Sequence, residues 1–343
     1  MKFAIGYKHQ SEGESFSALA FAYDEVREVY FPWVDEPSGR PVLGFGEGDD
    51  SETVKEVLRD ELTVLRTSGK KLDLLLNANC YGRMAMSFEL QQHICAIIDE
   101  LATWECKPDI VTAASPFVAR TIKKYYPEIE TRASVNMRLT TLQAMKYLAP
   151  WFDSYYIGRD VQRNIDNVKR IADWAHSNGK KVGILANSGC LRNCPWQTYH
   201  DNLIAHSAAA SEVFPAPGFN PHLCWTLYAD AANFPEILKA TWIRPEDLHA
   251  YEPYVDFVKL ATRQHSMPRL VVDAYVTGEF RGNLLDLLEP GFSPAFAKGR
   301  VAIDNTRFPE DWALKVGRCD RECTDCGYCE KVFAEVSGSD ALS

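Results

Sequence analysis

The 343-residue chain has no run approaching about eighteen consecutive apolar residues, so it offers no candidate membrane-spanning helix. Its opening, MKFAIGYKHQSEGESF, lacks the long apolar stretch and small-residue cleavage site of a secretory signal. No G-x-G-x-x-G turn follows the first strand-like run, which speaks against a dinucleotide-binding sheet. Neither G-x-S-x-G nor H-E-x-x-H occurs, so two common signatures of hydrolysis are missing. Positive charge is the scarcer sign, 37 Lys and Arg against 47 Asp and Glu, and the net charge of −10 argues against a broad nucleic-acid footprint while leaving room for a local basic pocket. Internal repeats and low-complexity tracts are absent. What remains is a cytoplasmic globular chain, long enough for one large domain or two ordinary ones, with a normal apolar share of 46%.

Short apolar runs alternate with amphipathic segments. Strands are expected at residues 28–32, 72–77, 109–112, 131–136, 154–157, 181–185 and 255–260, with a weak eighth between Cys224 and Trp242. Helices are expected at 51–68 with Ser51 as cap, 84–101, 116–125, near 141–148, and 161–178, where Asn178-Gly179 stops the last. Repeated strand–helix units imply a parallel sheet covered by helices. Eight strands over this length suit a closed (β/α)8 TIM-like barrel across residues 1–300 better than a doubly wound sheet. After about residue 300 the character changes to a cysteine-rich C-terminal tail, 301–343, ending in a polar Ser-Gly-Ser segment expected to fray.

Ten cysteines in a reducing compartment are better read as ligands or buried thiols than as disulfides. Four of them, Cys319, Cys323, Cys326 and Cys329, fall within one short run. Spacings of two and three residues let such thiolates converge on one centre, either a structural zinc ion or a [4Fe–4S] cluster. Cys190 and Cys194 directly follow the strand ending at Leu185, at what would be the active-site face of a barrel. Cys80 lies just past another strand end, and with Cys224 these four thiols make a candidate second site. Cys95 and Cys106, among apolar helix residues, read as structural.

Several other polar residues point to the same face. His200 is a candidate proton donor and Asp201 its orienting partner. Arg159 and Arg263 each follow a strand end and suit bidentate binding of a dicarboxylate. Lys259 alternates with apolar neighbours, which turns it into the barrel, where a buried ammonium needs a partner. Each has a plain structural alternative, a helix cap or a rim ion pair. Trp151, Phe152, Tyr155 and Tyr156 read as core.

The stretch Ser188-Gly-Cys190-Leu-x-x-Cys194, with Arg244-Pro-Glu-Asp-Leu248 and the strand running from Tyr254 to Arg263, resembles the U-thirty-two, or collagenase-like, peptidase family across roughly residues 70–265. The spacing before the second cysteine differs from the family pattern, and Ala261-Thr262 replaces its Glu-Gly. The resemblance implies a (β/α) barrel. Through members of the UbiU and UbiV type it also implies a [4Fe–4S] cluster, with Cys190 and Cys194 at ligand positions and Cys80 and Cys224 completing the set. It further implies oxygen-independent hydroxylation of a small metabolite or an RNA base, with prephenate as oxygen source. Two other readings stand beside it: a peptidase, as the family name says, and a non-catalytic iron–sulfur subunit of a hetero-complex.

Overall fold

The computed structural model describes residues 1–9, 15–34, 36–39, 50–207, 216–289, 291–299 and 301–337. Eight parallel strands close into a barrel in sequence order: β1 (Phe3–Gly6), β2 (Val26–Pro32), β3 (Lys71–Leu76), β4 (Ile110–Ala113), β5 (Glu130–Ala133), β6 (Ser154–Tyr156), β7 (Lys181–Leu185) and β8 (Phe257–Leu260), with β8 paired back to β1. Helices α1 (Phe16–Phe21), α2 (Ser51–Thr67), α3 (Phe88–Thr103), α4 (Pro116–Tyr125), α5 (Leu142–Leu148) and α6 (Ile165–Ser177) follow β1 to β6 in turn, and a helix at Pro268–Thr277 follows β8. This is the (β/α)8 architecture that the alternating pattern predicts. Among the described residues, no helix is long and apolar enough to cross a membrane.

The expected strand between Cys224 and Trp242 does not form. That stretch holds short helices, Leu223–Leu227 and Glu236–Lys239, and the eighth strand is β1 near the N-terminus. Its four residues are all buried, so no polar alternation marks them as a strand. Helix starts also move. Asp50, rather than Ser51, caps α2, its carboxylate accepting from Thr53 N at 2.8 Å. Ser87 caps α3, which therefore begins at Phe88 after a single 3-10 turn at Gly82–Met84. Asn164 caps α6. Gly179 does end α6 at φ +65°. From residue 338 the terminal Ser-Gly-Ser segment lies outside the described residues. Near the expected boundary at residue 300, backbone bridges join Asn283 to Asp304 and Ile303 to Ser337.

The outward faces of the strands pack on the helices as one apolar core, which includes Phe152 and Tyr155. The inward faces are different. Tyr156, Leu185 and Phe257 pack together, and Tyr30 packs with Ala4 and Leu75. Two glycines make room for these rings: a Cβ on Gly183 would lie 2.1 Å from the Phe257 ring, and one on Gly6 would lie 2.5 Å from Tyr30. Deeper in the barrel sits an ionic cluster. Arg132, 1% exposed, donates to Glu28 at 2.6 Å and to Glu130 at 2.9 Å, and lies 3.8 Å from Asp73. Its guanidinium also stacks 3.9 Å from the centre of the Phe257 ring. Burial alone would depress the guanidinium's pKa, but Glu28, Tyr156 and Asp73 more than offset this and hold it charged. Burial pushes the Asp73 carboxyl up against the pull of Arg132 and Lys259. Burial would also raise Glu130, yet Arg132, Lys181 and Ser154 draw its carboxyl down to about 2.

Two outcomes are expected. Gly183→Ala should lower stability by roughly 1–3 kcal/mol through overpacking against Phe257, read as a lower denaturation midpoint. Glu130→Gln should cost about 1.5–3 kcal/mol near neutral pH, because it removes one of the carboxylates around Arg132 and the partner of Lys181. Glu130 is more acidic folded than unfolded, so its contribution is full above its unfolded pKa and is lost as pH falls through about 2. The gap between wild type and variant in chemical unfolding should therefore shrink on acidification; a constant gap would contradict the ionic account.

Candidate active site

The connection between β7 and β8 carries the cysteine pair, and a set of buried amides fixes it. Asn187, at the end of β7, accepts from Ala261 N at 2.6 Å and donates to the carbonyls of Ala261 and Leu287. Gln162 accepts from Leu185 N and donates to the carbonyls of Leu185 and Thr241, each at 2.7 Å. Thr241 in turn donates its hydroxyl to Ser188 O and its backbone N–H to Cys190 O. Gly189 passes so close to Phe292 that a Cβ there would fall 2.2 Å from the ring. Asn193, at φ +55°, lets the loop turn between its two cysteines, and its N–H is bound by Asp160 at 2.7 Å.

Cys190, Cys194 and Cys224 line one cavity of about 350 Å3, with His200 and His222 on its wall. The two imidazoles meet edge to face with centres 4.9 Å apart. Burial pushes the Cys224 thiol up to about 12, and Cys190 and Cys194 add to the rise. Burial likewise raises Cys194, with Cys190 next in weight and Arg159 opposing. Cys194 and Cys224, both harder to ionise beside Cys190, need a cation nearby if they are to be thiolates. Beside them the Tyr228 hydroxyl is buried with no hydrogen-bond partner. Trp196, on the cavity wall, stacks on Phe219 at 5.7 Å, with Tyr199 set edge-on to both.

The barrel mouth proper is a tighter pocket, about 60 Å3, lined by Lys259, Arg159, Arg263, Asn77 and Asn136 among others. Lys259 Nζ sits 3.9 Å above the Tyr30 ring, itself fixed by a 2.8 Å bond from its hydroxyl to Leu260 O. Arg263 donates to Ser38 Oγ at 3.1 Å. Arg159 faces both spaces: it lines the mouth and donates to Cys190 Sγ at 3.1 Å. Gln264 and Glu289 also line both, so the pocket and the cysteine cavity adjoin. Among the described residues, three cations there face one carboxylate, Glu289, and the field favours an anionic ligand.

The remaining candidates lie elsewhere. Cys80 opens onto a separate cavity with His93, His206 and Glu36, away from the other three thiols. Asp201 is buried, but its carboxylate accepts from Gln197 at 2.9 Å, and it does not line the cavity that His200 faces. Cys319, Cys323, Cys326 and Cys329 gather around their own cavity. Cys106 is fully buried and Cys95 lies on α3. Among the described residues no group of three or more His, Cys, Asp or Glu side chains is placed to hold a metal ion. The sequence reading missed His222, Tyr228, Gln264 and Glu289. Only Tyr228 left a trace in the sequence, four residues after Cys224 and so on its helix face.

No family model matches the chain. One curated relative, the "Uncharacterized protease MJ1657" of Methanocaldococcus jannaschii, is 24% identical over 337 residues, 94% of this chain and 96% of its own length. Among solved structures, the U32 peptidase Mk0906 aligns with a TM-score of 0.53 at 15% identity, over 75% of this chain and 91% of that one. The curated relative is similar over nearly the whole length of both chains, and the U32 peptidase structure shares the barrel fold.

Gln162→Ala should remove three buried hydrogen bonds and cost about 2–3 kcal/mol. In metal-free protein it should also speed alkylation of Cys190 and Cys194, measured by mass spectrometry. An unchanged rate would mean that Gln162 does not hold the loop.

Proposed function

We propose that this chain is an iron–sulfur enzyme that acts on a small anionic metabolite at the barrel mouth, by oxygen-independent hydroxylation or closely related redox chemistry. The observation that carries the reading is the meeting of three thiols in one cavity that opens onto a cationic pocket, with Arg159 touching both. Three cysteines, an unpaired buried hydroxyl and a guanidinium on one sulfur are a donor set that fits a thiolate-held cluster better than a lone hydrolytic zinc. Cys190, Cys194 and Cys224 would hold such a cluster, which would supply Lewis acidity toward an oxygenated substrate.

The chain's own residues then divide the work. Arg159, Arg263 and Lys259 bind the carboxylates of a substrate such as prephenate, as bidentate or point-charge partners. Arg159, bonded to Cys190, orients that substrate against the thiol cavity. His200, on the cavity wall beside His222, is placed to hold or move a proton there. Tyr228 offers a hydroxyl donor from the buried side.

A second reading, peptide hydrolysis, is favoured by the printed names of both relatives, a protease and a peptidase. It needs an activated nucleophile or a metal-bound water. The three cysteines are the nearest candidates for either.

Anaerobic purification with iron, sulfide and zinc counted per chain tests the first reading. Cys190→Ala or Cys194→Ala should remove about four irons and four sulfides while the barrel keeps its circular dichroism. Full iron retained in both variants, or zinc without sulfide at this site, would sink it. Peptide cleavage by the metal-free protein would favour the second reading.

A further inference from the structure

We infer that the C-terminal cysteines hold a second iron–sulfur cluster, seated against the barrel-mouth loop through Arg192. The four thiols of Cys319, Cys323, Cys326 and Cys329 line one cavity of about 420 Å3. The steps from Cys319 to Cys323, Cys326 and Cys329 leave three, two and two residues between thiols, the spacing of an iron–sulfur loop.

The backbone is shaped for converging sulfurs. Gly327 takes φ +63° just before the helix Tyr328–Val336, which brings Cys329 into that helix's first turn. Arg321 adopts φ +73°, and its N–H points at Cys319 Sγ, 3.3 Å away. Arg192, midway between Cys190 and Cys194 in sequence, reaches across to donate to Cys323 Sγ at 3.4 Å. Donors aimed at sulfur are what a thiolate ligand asks for.

Charge makes the second, independent case. The chain is acidic, yet this cavity gathers six cations against three carboxylates. Arg163 lies beneath it, 5% exposed, and its hydrogen bonds go to the carbonyls of Leu238 and Ala240 rather than to a carboxylate. Trp242 and Trp312 face its guanidinium at 5.0 and 5.3 Å. Arg321 Nη2 is buried with no hydrogen-bond partner. Buried guanidinium groups need an anion nearby, and a cluster held by four thiolates supplies net negative charge at that place.

This inference stands apart from the reading of the barrel-mouth thiols, and its test separates the two. The full-length chain is reconstituted anaerobically with ferrous iron and sulfide. The triple variant C190A/C194A/C224A should still hold about four irons and four sulfides and give a paramagnetic signal on dithionite reduction. Cys326→Ala, at an exposed position, should lose about four irons from the otherwise wild-type chain, which keeps the question decidable if the triple variant fails to fold. Arg192→Gln should keep the iron but move the tail centre's midpoint potential downward, since a positive charge leaves the sulfur's neighbourhood. Zinc without sulfide in the triple variant, or iron unchanged in Cys326→Ala, would overturn the cluster. An unmoved potential in Arg192→Gln would overturn the link through Arg192.

Discussion

A guanidinium inside the barrel is the constraint on which the rest depends. Arg132 stands where a barrel of this size usually holds branched apolar side chains, and two glutamates and an aspartate come in to meet it. Because those partners stand on β2, β3 and β5, the charge ties together strands far apart in sequence. Its stacking on Phe257 extends the tie to β8, and Phe257 in turn requires glycine at position 183 on β7. Above this polar floor the side chains turn aromatic, and Tyr30 supports Lys259 at the mouth. The cationic pocket is thus the top layer of a stack of coupled layers.

The cysteine loop depends on a different device. A seventy-residue connection between adjacent strands would wander without internal ties, because ordering it costs conformational entropy. Here the ties are buried amides, Asn187 and Gln162, that replace missing strand pairing with side-chain hydrogen bonds. They hold the chain just past β7, where the thiols must point inward, and leave the outer part to aromatic stacking.

Much of the barrel was legible in the sequence because seven strands carry apolar runs that a helix-length pattern cannot imitate. Phe3–Gly6 escaped because a fully buried four-residue strand has no alternation to show. Arg132 and Glu130 escaped because, inside a strand, charged residues on alternate positions look like a solvated face. At the site, Cys190 and Cys194, just past a strand end, line one cavity with Cys224, whose loop position carried no such cue. Cys80 also follows a strand end, but position along the chain does not fix azimuth around the barrel, and its loop faces His93 and His206 instead. Asp201 beside His200 in sequence points elsewhere because successive helix residues diverge by about 100°. Glu289 and Gln264 could be found only once the strands were closed.

The position of Arg159 has a thermodynamic consequence. One guanidinium serves a sulfur on one side and a ligand pocket on the other. Whatever draws it toward the pocket changes the electron density left on Cys190, and whatever occupies the thiols changes how firmly it meets an incoming carboxylate. The two occupancies are then reciprocal: if filling one site alters affinity at the other by some factor, the reverse factor is the same. A single side chain makes the mouth and the sulfur cavity read each other's state without any movement of the barrel.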